Sequence, residues 1–292
     1  MSKSYYCIVA GLPDLSPDDN KPTYSLDRLK DEIYPQLSAH DKRLIDLVLL
    51  QVDNRNLLAL VNDKHAIIEK GGLFAAEALG ELIEAVRQGD VVKGMPDYMM
   101  RFVEQYDMLP ADTFDPSTEL RASSTQGKPF KADDLLWSLY YEHAMHADNK
   151  FVASWFEFNL NLNNMLSALA ARKYKMDVQQ VVVGNTETAE QIRTSNARDF
   201  DLGNTLDYVD AVVQIASTDN LVEREQMIDR LKWKWMDEAT VSDYFSVERI
   251  FVFMMQIVMT SRWMSLDKDK GNEKFRQIIA QLKNEVKVPA EY

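Results

Sequence analysis

Glu142, His143 and His146 are the residues whose types and spacing come nearest to chemistry. Two imidazoles at i and i+3 share one helix face, and with an adjacent carboxylate they can reach a single metal ion. A zinc protease needs His-Glu-x-x-His, and a ferritin-like di-iron site needs a Glu-x-x-His pair from each of two helices. Neither pattern occurs, and the remaining histidines are His40 and His65. His143 and His146 also continue the apolar spacing of Leu136 and Leu139. The expected reading is therefore two partly buried or interface histidines and no bound metal, with Glu142, His143 and His146 retained as a metal-binding alternative.

Other catalytic constellations are missing. Cys7 is the only cysteine, which excludes an intrachain disulfide and a cysteine zinc site and fits a reducing compartment. It is expected to be a small buried side chain rather than a nucleophile. The chain holds no Gly-x-Ser-x-Gly elbow, no Walker-type phosphate loop and no Gly-x-Gly-x-x-Gly turn. No catalytic residue, no cofactor and no enzymatic activity are expected.

A different pattern is more informative. Leu50-Gln51-Val52-Asp53-Asn54-Arg55-Asn56-Leu57-Leu58 is similar to Phe158-Asn159-Leu160-Asn161-Leu162-Asn163-Asn164-Met165-Leu166. Asp53 aligns with Asn161 and Asn56 with Asn164, each pair separated by 108 residues. Self-similarity at a fixed offset points to repeated supersecondary units. Asn is a poor helix former, so its recurrence inside helical segments calls for a reason. Asn56 and Asn164 are expected to cap or tie neighbouring helices through amide hydrogen bonds. Asn159, Asn161 and Asn163 would make an exposed polar face.

The elements that carry these residues read as helices. Only ten Gly and nine Pro punctuate 292 residues, so turns are scarce and elements long. Phe151, Trp155, Phe158, Leu162, Met165 and Leu169 recur every three or four residues, a stripe that must be buried against other helices. Ser38 and Asp41 form a capping-box-like start for a long helix through the first repeat segment. Further helices are expected near 26–36, 73–88, 95–108, 133–147, 186–193, 206–216, 222–236, 247–266 and 273–286. Two apolar stretches, 5–12 and 178–183, fit either a short strand or a helical turn. The class is all-α, with repeated helical bundles. A Pro-, Ser- and Gly-containing stretch at 111–131 reads as a linker between an N-terminal helical subdomain (1–110) and C-terminal helical subdomains (132–292). Lys232-Trp233-Lys234-Trp235 fits a partner contact and a core-packed pair of rings equally well.

A net charge of −13 argues against a nucleic-acid partner and against broad adhesion to anionic lipid. The longest nearly apolar run, Ile250 to Met259, is about half of a transmembrane span, so no direct membrane span is expected and the chain reads as cytoplasmic.

The opening Tyr5-Tyr6-Cys7-Ile8-Val9-Ala10-Gly11-Leu12-Pro13-Asp14-Leu15 resembles that of an uncharacterised bacterial family whose genes accompany V-type ATPase genes. More distantly, the chain resembles the C subunit of bacterial V/A-type ATPases, called d in the eukaryotic pump. That family carries an acid, Asn three residues on, aliphatic residues and an Arg. Asp53-Asn54-Arg55-Asn56-Leu57-Leu58 fits this. In the second copy Asn161 replaces the acid, and Arg172 and Lys173 lie further along. Glu248 to Arg262 fits a third copy loosely. The resemblance implies a pseudo-threefold, funnel-like set of helical bundles without catalysis or cofactor. Its partners would be the rotor shaft subunits and membrane ring of a rotary ATPase, and its location cytoplasmic, peripheral to the membrane through the complex.

Overall fold

A computed structural model describes residues 5–17, 19, 24–108, 132–241 and 245–265. The described residues contain eleven α-helices and no strand. They are α1 (Tyr6–Ala10), α2 (Leu26–Glu32), α3 (Ala39–Asn62), α4 (Ala76–Arg87), α5 (Asp97–Tyr106), α6 (Ala132–Met145), α7 (Lys150–Lys173), α8 (Glu187–Thr194), α9 (Val209–Ser217), α10 (Leu221–Ala239) and α11 (Val247–Ser265). The all-α expectation holds. Of the two ambiguous stretches, 5–12 contains α1, and 178–183 opens with a 3-10 turn at Val178–Gln180 and ends as irregular chain. The expected helix at 273–286 and the linker at 111–131 lie outside the described residues.

The helix order repeats. Helices α3 and α7 are each 24 residues long. Each is followed by an irregular segment, a shorter helix (α4 or α8) and then another (α5 or α9). By internal contacts the chain divides into two compact units, residues 43–213 and residues 1–42 with 214–292. The expected boundary at 111–131 therefore falls inside one unit, and α5 and α6, on either side of it, pack together. Long-range apolar packing outweighs the turn-rich composition of the intervening segment.

Unit 43–213 holds both repeat copies. Tyr98 donates to Asn54 Oδ1 at 2.7 Å, and Tyr106 donates to Asn62 Oδ1, so α5 runs parallel to α3 in constant register. Helices α6 and α7 are joined by residues 146–149, and the short connection makes them antiparallel neighbours. Asn149 caps α7 by accepting from the Val152 N–H at 3.0 Å. Tyr140 donates to the Leu47 carbonyl at 2.7 Å and meets Phe156 edge-on at 5.6 Å. Of the predicted stripe, Trp155, Phe158, Leu162 and Met165 are buried, while Phe151 and Leu169 are half-buried at its ends.

In the other unit, α11 is buried over most of its circumference, including Ile250, Phe251, Val252, Phe253, Met254 and Ile257. Among the described residues no helix is long and apolar enough to cross a membrane. Tyr24 meets Phe253 edge-on at 5.3 Å. Asp229 of α10 accepts from Arg262 Nη2 at 2.6 Å and from Trp263 Nε1 at 2.5 Å. Trp233 is buried, and exposed Lys234 lies 3.7 Å from Glu238, so this basic-aromatic stretch turns at least one ring into the core.

Cys7 is exposed, contrary to expectation. The reason is geometric. Helix α1 is a single turn whose buried residues, Tyr5 at its entry and Val9, lie four positions apart, and Cys7 falls on the opposite side.

Candidate functional site: paired asparagine clasps

Asn56 and Asn164 are each 2 % exposed, and neither projects to a neighbouring helix. Each instead grips the irregular segment that follows its own helix. Asn56 Nδ2 donates to the Glu69 carbonyl at 3.0 Å, and the Glu69 N–H donates back to Asn56 Oδ1 at 2.8 Å. Asn164 Nδ2 donates to the Val183 carbonyl at 2.8 Å, and the Val183 N–H donates back to Asn164 Oδ1 at 2.9 Å. A carboxamide carries one donor and one acceptor side by side, as a peptide does, so it completes the same double bond that facing residues make in an antiparallel ladder.

Arginines reinforce both segments. Arg55 makes a forked ion pair with Glu69, with Nε at 3.0 Å and Nη2 at 2.8 Å, and this holds the Glu69 carboxyl below its usual pKa against the opposing effect of burial. Arg193 donates to the carbonyls of Val182 and Gly184 at 3.0 and 2.5 Å, bracketing Val183. Arg172 donates to the carbonyls of Ala197 and Ser195 at 2.5 and 2.6 Å and stacks on the buried Phe200 ring at 4.1 Å. Burial there lowers the Arg172 pKa from its ordinary value.

The two copies differ at the acid. Asp53 is fully buried and accepts from the Leu73 and Phe74 N–H groups at 2.7 and 3.2 Å. Gly72 makes this possible, because a Cβ there would sit 2.1 Å from Asp53 Oδ1. Its partner Asn161 is also buried, and its amide supports the Tyr208 hydroxyl, whose pKa burial pushes up to about 12. Helix α8 has its own cap: Thr186 Oγ1 accepts from the Ala189 N–H at 3.1 Å. The N-cap residue of helix α4, Ala75, has no side chain able to cap it, so a carboxylate organising the preceding turn is needed in the first copy only.

The expected exposed face exists only at Asn163, which donates to the Tyr141 hydroxyl at 3.2 Å. Asn159 is buried and donates to the Trp155 carbonyl at 2.7 Å, and Asn161 is buried beside Tyr208. The cause is burial on several sides of α7, which turns these amides toward protein instead of solvent. In the third segment, Gln256 and Thr260 are buried polar residues of α11, and Thr260 Oγ1 donates to the Gln256 carbonyl at 2.8 Å.

Glu142, His143 and His146 do not converge. Glu142 lies 3.6 Å from Arg101 Nη1. His146 Nδ1–H donates to the Glu142 backbone carbonyl at 2.7 Å. His143 lays its ring against Tyr98 with centroids 5.0 Å apart. Partial desolvation there lowers its pKa, with Asp97 opposing and His146 adding to the shift. Among the described residues no group of three or more His, Cys, Asp or Glu side chains is arranged to hold a metal ion.

These features define an all-helical repeat protein whose buried polar chemistry fastens helices to the segments that follow them. The sequence matches, over residues 1–286, the family described as "Protein of unknown function (DUF2764)", and the chain belongs to that family. No curated protein and no solved structure matches it.

Proposed function

We propose that the protein is a non-catalytic central-stalk subunit of a V/A-type rotary ATPase. In this role it couples the rotor shaft to the membrane ring during ATP-linked proton or sodium transport, as a cytoplasmic part of the complex. The observation that carries the reading is the paired clasp. Asp53 and Asn56, the residues that bear the resemblance to the C subunit, are locking groups, and the Asn164 copy locks a second helix in the same manner. A coupler must transmit force without yielding, and buried, reciprocally satisfied hydrogen bonds supply that rigidity. A pseudo-threefold, funnel-like assembly belongs to the same proposal.

The test is co-purification with the shaft and ring subunits, with ATP-driven ion pumping measured in the same preparation. Retention of both partners, and loss of pumping when the subunit is removed, is expected. Binding to neither, or unchanged pumping, overturns the proposal. Stoichiometric metal that disappears in a His143→Ala, His146→Ala double variant would instead favour the metal-binding alternative with Glu142. Consistent absence of the gene from rotary ATPase clusters would favour a free-standing helical adaptor.

A further inference from the structure

Phe200 and Asp201 are consecutive residues with left-handed backbones, φ +57° and +58°. Among the described residues the only other non-glycine in that region is Lys175. A left-handed backbone presses Cβ against the following carbonyl oxygen, so a bulky residue holds it only when its surroundings impose it. The repeat itself does not impose it. In the first copy the link from α4 to α5, residues 88–96, places its left-handed backbone at Gly89 and Gly94, where there is no Cβ to crowd. In the second copy the matching link from α8 to α9, residues 195–208, uses Phe and Asp instead.

The constraint comes from contacts onto one short strap, residues 195–203. Phe200 is fully buried and Leu202 nearly so. Arg172 of α7 stacks on the Phe200 ring and donates to the Ser195 and Ala197 carbonyls. Gln191 Nε2 of α8 donates to the carbonyls of both left-handed residues, at 3.1 and 3.0 Å. Within the strap, Ser195 Oγ donates to Asp201 Oδ2 at 2.6 Å, and the Asp201 N–H donates to Asp199 Oδ1 at 3.1 Å.

We propose that this strap is a strained latch. Residues 195–203 open as one unit, releasing Phe200 and Leu202 from the core, while α7, α8 and the Asn164 clasp stay folded. Opening lets both left-handed residues return to ordinary backbone, which lowers its free energy below that of the surrounding helices. Arg172 holds the latch shut, because it alone ties both the entry of the strap and the Phe200 ring to α7.

The test is native-state hydrogen exchange on the full chain. The Phe200 and Leu202 amides, which donate to Ala197 and Asp199 carbonyls, report the strap. The Leu162 and Met165 amides report α7, and the Val183 amide reports the clasp. The two strap amides are expected to open together and more readily than those of α7. Arg172→Met keeps the stem but removes the donors, and should speed strap exchange about tenfold or more without changing Leu162, Met165 or Val183. Arg172→Lys, which cannot fork across two carbonyls, should fall between Met and wild type. Strain is isolated in a Ser195→Ala background, where Asp201 has lost its hydroxyl partner. There Asp201→Gly should slow strap opening by about threefold, because glycine accepts the left-handed backbone without crowding. Strap amides that exchange only with α7, that open separately, or that ignore Arg172→Met overturn the proposal. So does unchanged or faster opening on Asp201→Gly in the Ser195→Ala background. No ATPase subunit takes part, so the outcome is independent of the stalk role.

Discussion

Asn56 and Asn164, 108 residues apart in sequence, hold the chain by the same two-bond grip on a single backbone residue. The gripped residues, Glu69 and Val183, lie 13 and 19 positions downstream, so the second segment is six residues longer and still closes on the same side-chain geometry. The grip, not the segment length, is what the two copies share. Only Asn offers an adjacent donor and acceptor on so short a stem; Asp lacks the donor and Gln adds a methylene.

Replacing either asparagine by Ala leaves a peptide N–H and C=O without partners in a part-buried site, a cost of about 2–4 kcal/mol. Hydrogen exchange discriminates between the copies. Asn164→Ala should expose the Val183 amide and leave the Glu69 amide protected, and Asn56→Ala should do the reverse. Loss of protection at both amides in either single variant would show that the clasps are not independent.

Much of this was legible in the sequence, for identifiable reasons. The long helices carry their own stripe of Trp155, Phe158, Leu162 and Met165, and periodicity is a local signal. The repeat offset singled out Asn56 and Asn164, because Asn inside a helix must earn its place. Their actual partners were hidden: Glu69 and Val183 contribute backbone atoms, which leave no trace in residue type. The close approach of Gly72 to Asp53 joins positions 19 apart that no sequence pattern connects. Tyr98, Tyr140 and Arg193 escaped for the same reason, each pairing with a distant backbone or amide atom. Cys7 was misplaced because a five-residue helix is too short to reveal its buried side by periodicity.

Gly72→Ala tests the acid in the first copy. The added methyl would overlap the Asp53 carboxylate, at 2.6 Å from Cγ, and force the turn away from it. The Leu73 and Phe74 hydrogen bonds would be lost from a buried charged acceptor, at about 2–4 kcal/mol. Gly71→Ala, whose backbone φ is +108° with open space around it, should cost less, about 1 kcal/mol. Urea denaturation of the two variants gives the comparison, and equal losses would remove the Asp53 contact as the cause.

Asp41 sets an acid limit. It is 4 % exposed and accepts hydrogen bonds from Tyr5 and from Ser38, with His40 Nδ1 at 3.2 Å. Burial raises its pKa, but the hydrogen bonds from Tyr5, Ser38 and His40 outweigh burial and the net shift is downward. A carboxyl with a depressed folded-state pKa stabilises fully above its unfolded value, about 3.9, and loses that contribution as pH falls through the folded value. The stability gap between wild type and Asp41→Asn should therefore be constant near neutrality and shrink below about pH 4. A gap that persists undiminished into strong acid would contradict this account.

The buried stripe of α7 links stability to the proposed role. Trp155 is 1 % exposed and stacks near Phe158 with centroids 5.9 Å apart, and Phe158 in turn meets Tyr208 edge-on at 4.8 Å. Truncating Trp155 or Phe158 to Ala should cost about 3–5 kcal/mol through lost burial and the cavity left behind. That is a large share of the stability of an ordinary domain, about 5–15 kcal/mol. A force-transmitting subunit would then leave its complex by unfolding, without any change at a catalytic centre. His143→Asn, at an exposed ring resting on Tyr98, should leave assembly and ATP hydrolysis close to wild type. Thermal melts, pull-down of the shaft and ring, and ATP-driven pumping on the same three variants separate the possibilities. If Trp155→Ala melts early yet retains full coupling, the stripe is not the source of stiffness. If His143→Asn abolishes pumping while its melt is unchanged, α6 carries a role that packing does not explain.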